Sequence, residues 1–251
     1  MKKNLNNKSL ERYSRQIILK DIGIIGQTKI LKSKVLVVGL GGLGCPVADY
    51  LARSGVGNLG IIDFDKVSLS NIHRQSLFYS SDVGKYKVDV VFKNLKKINT
   101  LIKIKKYKLK ISKTNIKTIF QNYDIIVDGS DNFNTKFLLN KEALKLRKFF
   151  VSASISKFDG HIFSFDFKNK KNPCLRCFFQ ENNVSDDILN CEYEGVLGTV
   201  AGTIGIIQAN EILKQILNIG KNLNGQILIF DLLNLNFRKV KLTKLKDCLC
   251  K

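Results

Sequence analysis

Hydrophobic and polar positions alternate along the first half of the chain in two periods. Short β-branched runs at Lys34–Gly39, Asn58–Asp63, Leu101–Tyr107 and Tyr123–Asp128 read as strands, and the segment after each carries the 3.6-residue spacing of a helix. This is the pattern of parallel βαβ units. Lys148–Ala153 and His161–Phe167 read as two further strands, and Leu197 to Ile219 as a long helix. Gln226–Asp231 and Phe237–Leu242 read as a closing pair joined by a polar turn, which implies antiparallel pairing. Gln180–Glu194 is polar and aperiodic and reads as a mobile loop. The expected fold is α/β: a Rossmann-like, mostly parallel sheet flanked by helices, with antiparallel strands added in the C-terminal half. With no repeat or low-complexity linker, residues 1–251 are expected to form one domain. Its nucleotide-binding half covers about 1–150, and its cysteine-containing half about 151–251.

The first glycine-rich turn carries the first chemistry. The strand ending at Gly39 runs into Gly39-Leu-Gly41-Gly42-Leu-Gly44, and Cys45–Arg53 reads as helix. Glycine lets the backbone approach a phosphate, and a helix N-terminus presents unpaired N–H groups to it. Asp63 closes the next strand, where a carboxylate accepts hydrogen bonds from ribose hydroxyls. NAD would fit these features as well as ATP. Ser70-Asn71-Ile72-His73-Arg74-Gln75 and Lys87 then place two cations near the phosphate end, which suits a triphosphate better than hydride chemistry. Asp128-Gly129-Ser130-Asp131-Asn132 follows the fourth strand. Asp131 there is either a magnesium ligand or the N-cap of a helix beginning near Phe133.

Composition narrows the function classes. The net charge of +21 raises the question of nucleic acid, yet the basic residues are scattered and almost all lysine, in a chain rich in Asn and Ile. Compositional drift toward A/T-rich codons accounts for that without a nucleic-acid site. The longest apolar stretch, Gly195 to Ile207, is shorter than a bilayer span, and the polar N-terminus holds no secretory signal. A cytoplasmic protein without a membrane role is expected.

Arg12-Tyr13-Ser14-Arg15-Gln16, the GLGGLG turn, the 63–75 segment (DFDxVxLSNxHRQ), Val83-Gly84-x-x-Lys87-Val88 and Gly129-Ser130-Asp131-Asn132 together closely resemble the MoeB/ThiF/HesA family, bacterial relatives of the ubiquitin-activating enzymes. The resemblance implies an ATP- and Mg²⁺-dependent enzyme that adenylylates the C-terminal Gly carboxylate of a ubiquitin-like sulfur-carrier protein ending in Gly-Gly, with release of pyrophosphate. The pathway would be thiamine or molybdenum-cofactor biosynthesis. Gly42, Asp63, Ser70, Asn71, Arg74, Lys87, Asp131 and Asn132 would contact ATP or its magnesium, and Arg15 would reach the triphosphate from the partner subunit of a homodimer. No rhodanese-like segment follows Leu242, so a separate sulfur donor is expected. Two other classes remain: an NAD-dependent oxidoreductase, which leaves Arg15, Arg74, Lys87 and Asp131 without a purpose, and a non-catalytic nucleotide-binding scaffold.

The cysteines are read against the same family. Cys174-Leu-Arg-Cys177 and Cys248-Leu-Cys250 could hold a structural zinc ion, although the family's second pair is CxxC where this chain has CxC with Lys251 after it. Cys191, in Asn190-Cys191-Glu192-Tyr193-Glu194-Gly195-Val196, matches a family cysteine that takes part in covalent sulfur transfer in ThiF-like members. Glu192 and Glu194 beside it would disfavour its thiolate. Cys45 reads as a small packing residue.

Overall fold

A computed structural model describes residues 5–179 and 195–248. The expected loop 180–194, Cys191 and Cys250 lie outside the described residues.

Eight strands form one sheet: β1 (Lys34–Val38), β2 (Asn58–Ile62), β3 (Lys103–Tyr107), β4 (Ile125–Asp128), β5 (Phe149–Ser156), β6 (Asp159–Asp166), β7 (Gln226–Asp231) and β8 (Asn236–Lys241). Their order is β3-β2-β1-β4-β5-β6-β7-β8. Pairing is parallel from β3 across to β5 and antiparallel from β5 to β8. Each strand expected from the sequence is present, with ends shifted by a few residues.

The helices in chain order are α1 (Asn7–Arg12), α2 (Ser14–Ile17), α3 (Gly23–Lys32), α4 (Gly44–Ser54), α5 (Lys87–Ile98), α6 (Ile116–Phe120), α7 (Phe133–Lys145), α8 (Leu175–Phe178) and α9 (Gly198–Leu217). One face of the sheet packs against α4, α5 and α9, with Val35, Val37, Ile61, Val127 and Val151 pointing into that core. The other face packs Leu36, Ile126, Phe150, Phe163 and Phe165 against α6, α7 and α8. Successive residues of β1 enter opposite cores, the period-2 geometry of a strand buried on both sides. No helix among the described residues is long and apolar enough to cross a membrane.

Both sheet edges are basic. β3 shows Lys103, Lys105 and Lys106 to solvent, and β8 shows Arg238, Lys239 and Lys241. Charged edge strands resist pairing with other chains, so part of the positive charge has a structural use that needs no nucleic acid.

Candidate functional site

Neighbouring strands β1 and β4 connect in opposite directions across the sheet, β1 toward β2 and β4 toward β5. The loops leaving their carboxyl ends diverge and leave a crevice, the position where open α/β sheets bind ligands. A cavity of about 1050 Å³ lies there. It brings together the glycine turn after β1 (Gly39, Gly41, Gly42), Asp63 after β2, Ser70, Asn71 and Arg74, Lys87 at the start of α5, and Asp131 and Asn132 after β4.

The glycine turn is shaped by close backbone contact. Gly39 has φ +87°, and a Cβ on Gly44 would lie 1.9 Å from the Gly39 carbonyl oxygen, so that helix start has no room for a side chain. Gly44 does not line the cavity; it lets α4 begin against the turn, with the positive end of its dipole near the crevice. Cys45, fully buried behind the turn, donates its thiol to the Leu40 carbonyl at 3.2 Å, and burial pushes its pKa up to about 12. It is the packing residue expected.

Asp63 is 7% exposed and anchors the turn: Oδ2 accepts the Leu40 N–H at 2.7 Å and Oδ1 the Asp65 N–H at 2.8 Å. Burial raises its pKa, opposed by these two N–H groups and by the charge of Lys87. Each oxygen keeps a second lone pair for a ligand hydroxyl. Lys87 is nearly buried, and its Nζ sits 3.4 Å from Asp65 Oδ2. Arg74 donates from Nη1 to the Ser70 carbonyl at 3.0 Å and meets His73 Nε2 at 2.8 Å.

The two readings of Asp131 separate cleanly. Asn132 is the N-cap of α7, its Oδ1 accepting the Thr135 N–H at 2.8 Å. Asp131 is thereby exposed at the cavity, touched by Asn132 Nδ2 at 3.3 Å. An exposed carboxylate lining this cavity is of the kind magnesium takes, since that ion is held through one or two carboxylates and substrate phosphates.

Sequence reasoning passed over the support beneath this loop. Asp128, fully buried, accepts from Lys136 Nζ at 3.0 Å and Ser152 Oγ at 2.6 Å on one oxygen, and from Ser130 Oγ at 2.5 Å and Ser130 N–H at 3.0 Å on the other. Lys136 also donates to the Ala153 carbonyl at 2.6 Å, and Gln208 Nε2 to the Asp128 carbonyl at 3.0 Å. The only hint in the sequence was a lysine one turn into a helix that follows a buried strand.

The far side of the cavity is a ladder across β5 and β6. Ser154 lies opposite His161 and Ser156 opposite Asp159, all four lining the space. Arg15 is exposed on α2 and is not among the residues lining this cavity. Just past it, Ile18 and Ile25 are 68% and 76% exposed, with Leu19 and Ile24 between them also open.

Away from the cavity, Cys174, Cys177 and Cys248 converge, all three sulfurs lying within 4.8 Å of one another and all buried. Cys174 Sγ is 3.5 Å from Cys248 Sγ. Three buried thiols so arranged fit three corners of a tetrahedral thiolate zinc site.

The profile of the ThiF family matches residues 13–251. The adenylyltransferase and sulfurtransferase MOCS3 of Culex quinquefasciatus is 43% identical over 245 residues, which cover 97% of this chain and 56% of that protein. The sulfur carrier protein adenylyltransferase of Thermus thermophilus is 38% identical over 242 residues, 95% of this chain and 89% of that protein. This chain therefore spans little more than half the length of the MOCS3 relative. Among solved structures, E. coli MccB with ATP has the same fold, with a TM-score of 0.82 and 23% identity over 95% of this chain and 74% of that one.

Proposed function

The chain belongs to the ThiF family, and from that premise we propose that it adenylylates the C-terminal glycine carboxylate of a ubiquitin-like sulfur-carrier protein, consuming ATP and releasing pyrophosphate. The observation that carries this reading is the convergence, at one crevice, of the glycine turn, Asp63, Arg74, Lys87 and Asp131 from five separated segments.

The nucleotide would lie across the glycine turn, its ribose hydroxyls on Asp63 and its phosphates toward Arg74 and Lys87. The carrier's tail would enter along Ser154, Ser156 and His161. A C-terminal carboxylate, with a pKa of about 3.5, is already ionised at neutral pH, so no general base is required. Its oxygen attacks the α-phosphorus, forming a mixed anhydride, while the bond from the α-phosphorus to the pyrophosphate oxygen breaks. Arg74 and Lys87 neutralise charge that grows on the phosphates, the term that dominates such transfers. Magnesium held by Asp131 would supply further neutralisation of the leaving pyrophosphate.

The exposed position of Arg15 and the apolar face beyond it support a homodimer in which Arg15 serves the other subunit's site. Cys174, Cys177 and Cys248, with Cys250, would hold a structural zinc ion. The thiamine or molybdenum-cofactor assignment rests on the partner, as does a covalent role for Cys191.

The test is magnesium-dependent ATP–pyrophosphate exchange with purified carriers ending in Gly-Gly, each alongside the same carrier lacking its final glycine. Exchange that needs one intact carrier identifies both reaction and partner. Absence of exchange by folded, ATP-binding protein with every carrier would leave a nucleotide-binding scaffold.

A further inference from the structure

Gln75 lines the cavity and is 3% exposed. Its backbone is tied down, the N–H donating to the Asn71 carbonyl at 3.0 Å and the carbonyl accepting the Phe78 N–H at 3.2 Å. Its side chain is not. Oε1 is buried and meets no hydrogen-bond partner. The amide lies directly under the glycine turn, with Nε2 3.8 Å from where a Cβ on Gly41 would sit. The same strip of chain is packed against the turn at Gly42, whose Cβ would lie 3.5 Å from Arg74 Cγ.

Buried amides are ordinarily satisfied, because an unmade hydrogen bond costs more than a made one contributes. Gln208 shares an unpaired Oε1, but its Nε2 is used on the Asp128 carbonyl and it does not line the cavity. Gln75 borders open space beside the N–H-rich turn. With Nε2 toward Gly41, the amide presents two N–H donors beside the turn, where an anion would lie.

We infer that Gln75 is a further substrate-contacting residue, its carboxamide donating to a phosphate oxygen of the nucleotide seated on the glycine turn. This rests on the nucleotide reading of the cavity and extends it to a residue outside the set expected from the sequence.

The experiment is calorimetric titration of the full chain and of Gln75→Leu with ATP and, separately, with adenosine, alongside thermal melting of both. Leucine nearly fills the same volume and removes the stranded polar atoms. The expected result is a variant melting no lower than wild type, with ATP affinity reduced about tenfold to hundredfold, as for loss of a hydrogen bond to a charged group. Adenosine affinity should be unchanged. Gln75→Glu, which keeps the shape and adds a negative charge, should weaken ATP further. Unchanged ATP affinity, equal loss for ATP and adenosine, or a clearly lower melting temperature would each overturn the inference while leaving the cavity's role intact. Failure of wild type itself to bind ATP would instead remove the nucleotide reading, and this inference with it.

Discussion

Lys136→Met isolates the buried charge pair under the 128–132 loop. Lys136 and Asp128 side chains are 5% and 0% exposed, with Nζ and Oδ2 3.0 Å apart. Methionine keeps the length of the stem and removes the ammonium, leaving Asp128 as a buried carboxylate and the Ala153 carbonyl without its side-chain donor. Breaking a buried pair from one side costs about 3–5 kcal/mol. Ser152 and Ser130 still give Asp128 three hydrogen bonds, which places the expected loss near the lower end, about 3 kcal/mol. For a chain of this size that lowers the melting temperature by roughly 6–12 °C. Urea denaturation at neutral pH measures it directly. In the double variant with Asp128→Asn, the stranded charge is gone, so the combined loss should be smaller than the sum of the single losses by about 1–3 kcal/mol. A loss below about 1 kcal/mol, or strict additivity, would refute the claim that this pair holds the loop.

Other outcomes follow from single contacts. Gly44→Ala drives a Cβ into the Gly39 carbonyl and should cost about 3 kcal/mol or more, whereas Gly41→Ala meets only Gln75 Nε2 at 3.8 Å and should leave the melting temperature unchanged; equal melting of the two variants would contradict this packing. Purified protein should carry roughly one equivalent of zinc by metal analysis, falling well below half in Cys174→Ser; zinc-free, stable wild type would remove the site. His161 is mostly buried, and burial lowers its pKa, with Asp159 opposing. The unfolded chain therefore takes up the proton first, so the contribution of His161 is complete above about pH 6.5 and is lost as pH falls from there through the depressed folded value. His161→Gln should flatten the stability profile across that window, and an unchanged acid limb would count against it.

Much of the site was legible because its determinants are local. A glycine turn between an apolar strand and a helix, an acid closing the next strand, and Arg74 and Lys87 on the following loop are all written in contiguous residues, and the structure gathers them at one crevice. Asp131 was legible only as two alternatives, since capping depends on where a helix starts to within one residue; Asn132 took the cap and left Asp131 facing the cavity. The three-cysteine cluster was readable as pairs, but the approach of Cys248 to Cys174 belongs to chain closure across the whole second half.

The chain's own pattern determined which segments are strands and helices and which turn could approach a phosphate, because backbone periodicity, glycine freedom and the chemistry of short motifs act over a few residues. Only the tertiary structure decided that β1 lies between β2 and β4, and so where the crevice opens. It also decided that Lys136, a residue type usually solvated, is buried against Asp128, and that Gln75 is sealed beneath the turn with its amide oxygen unpaired. The cost of burying a charge or an amide is set by what other segments, distant in sequence, place over it, and no local pattern encodes that.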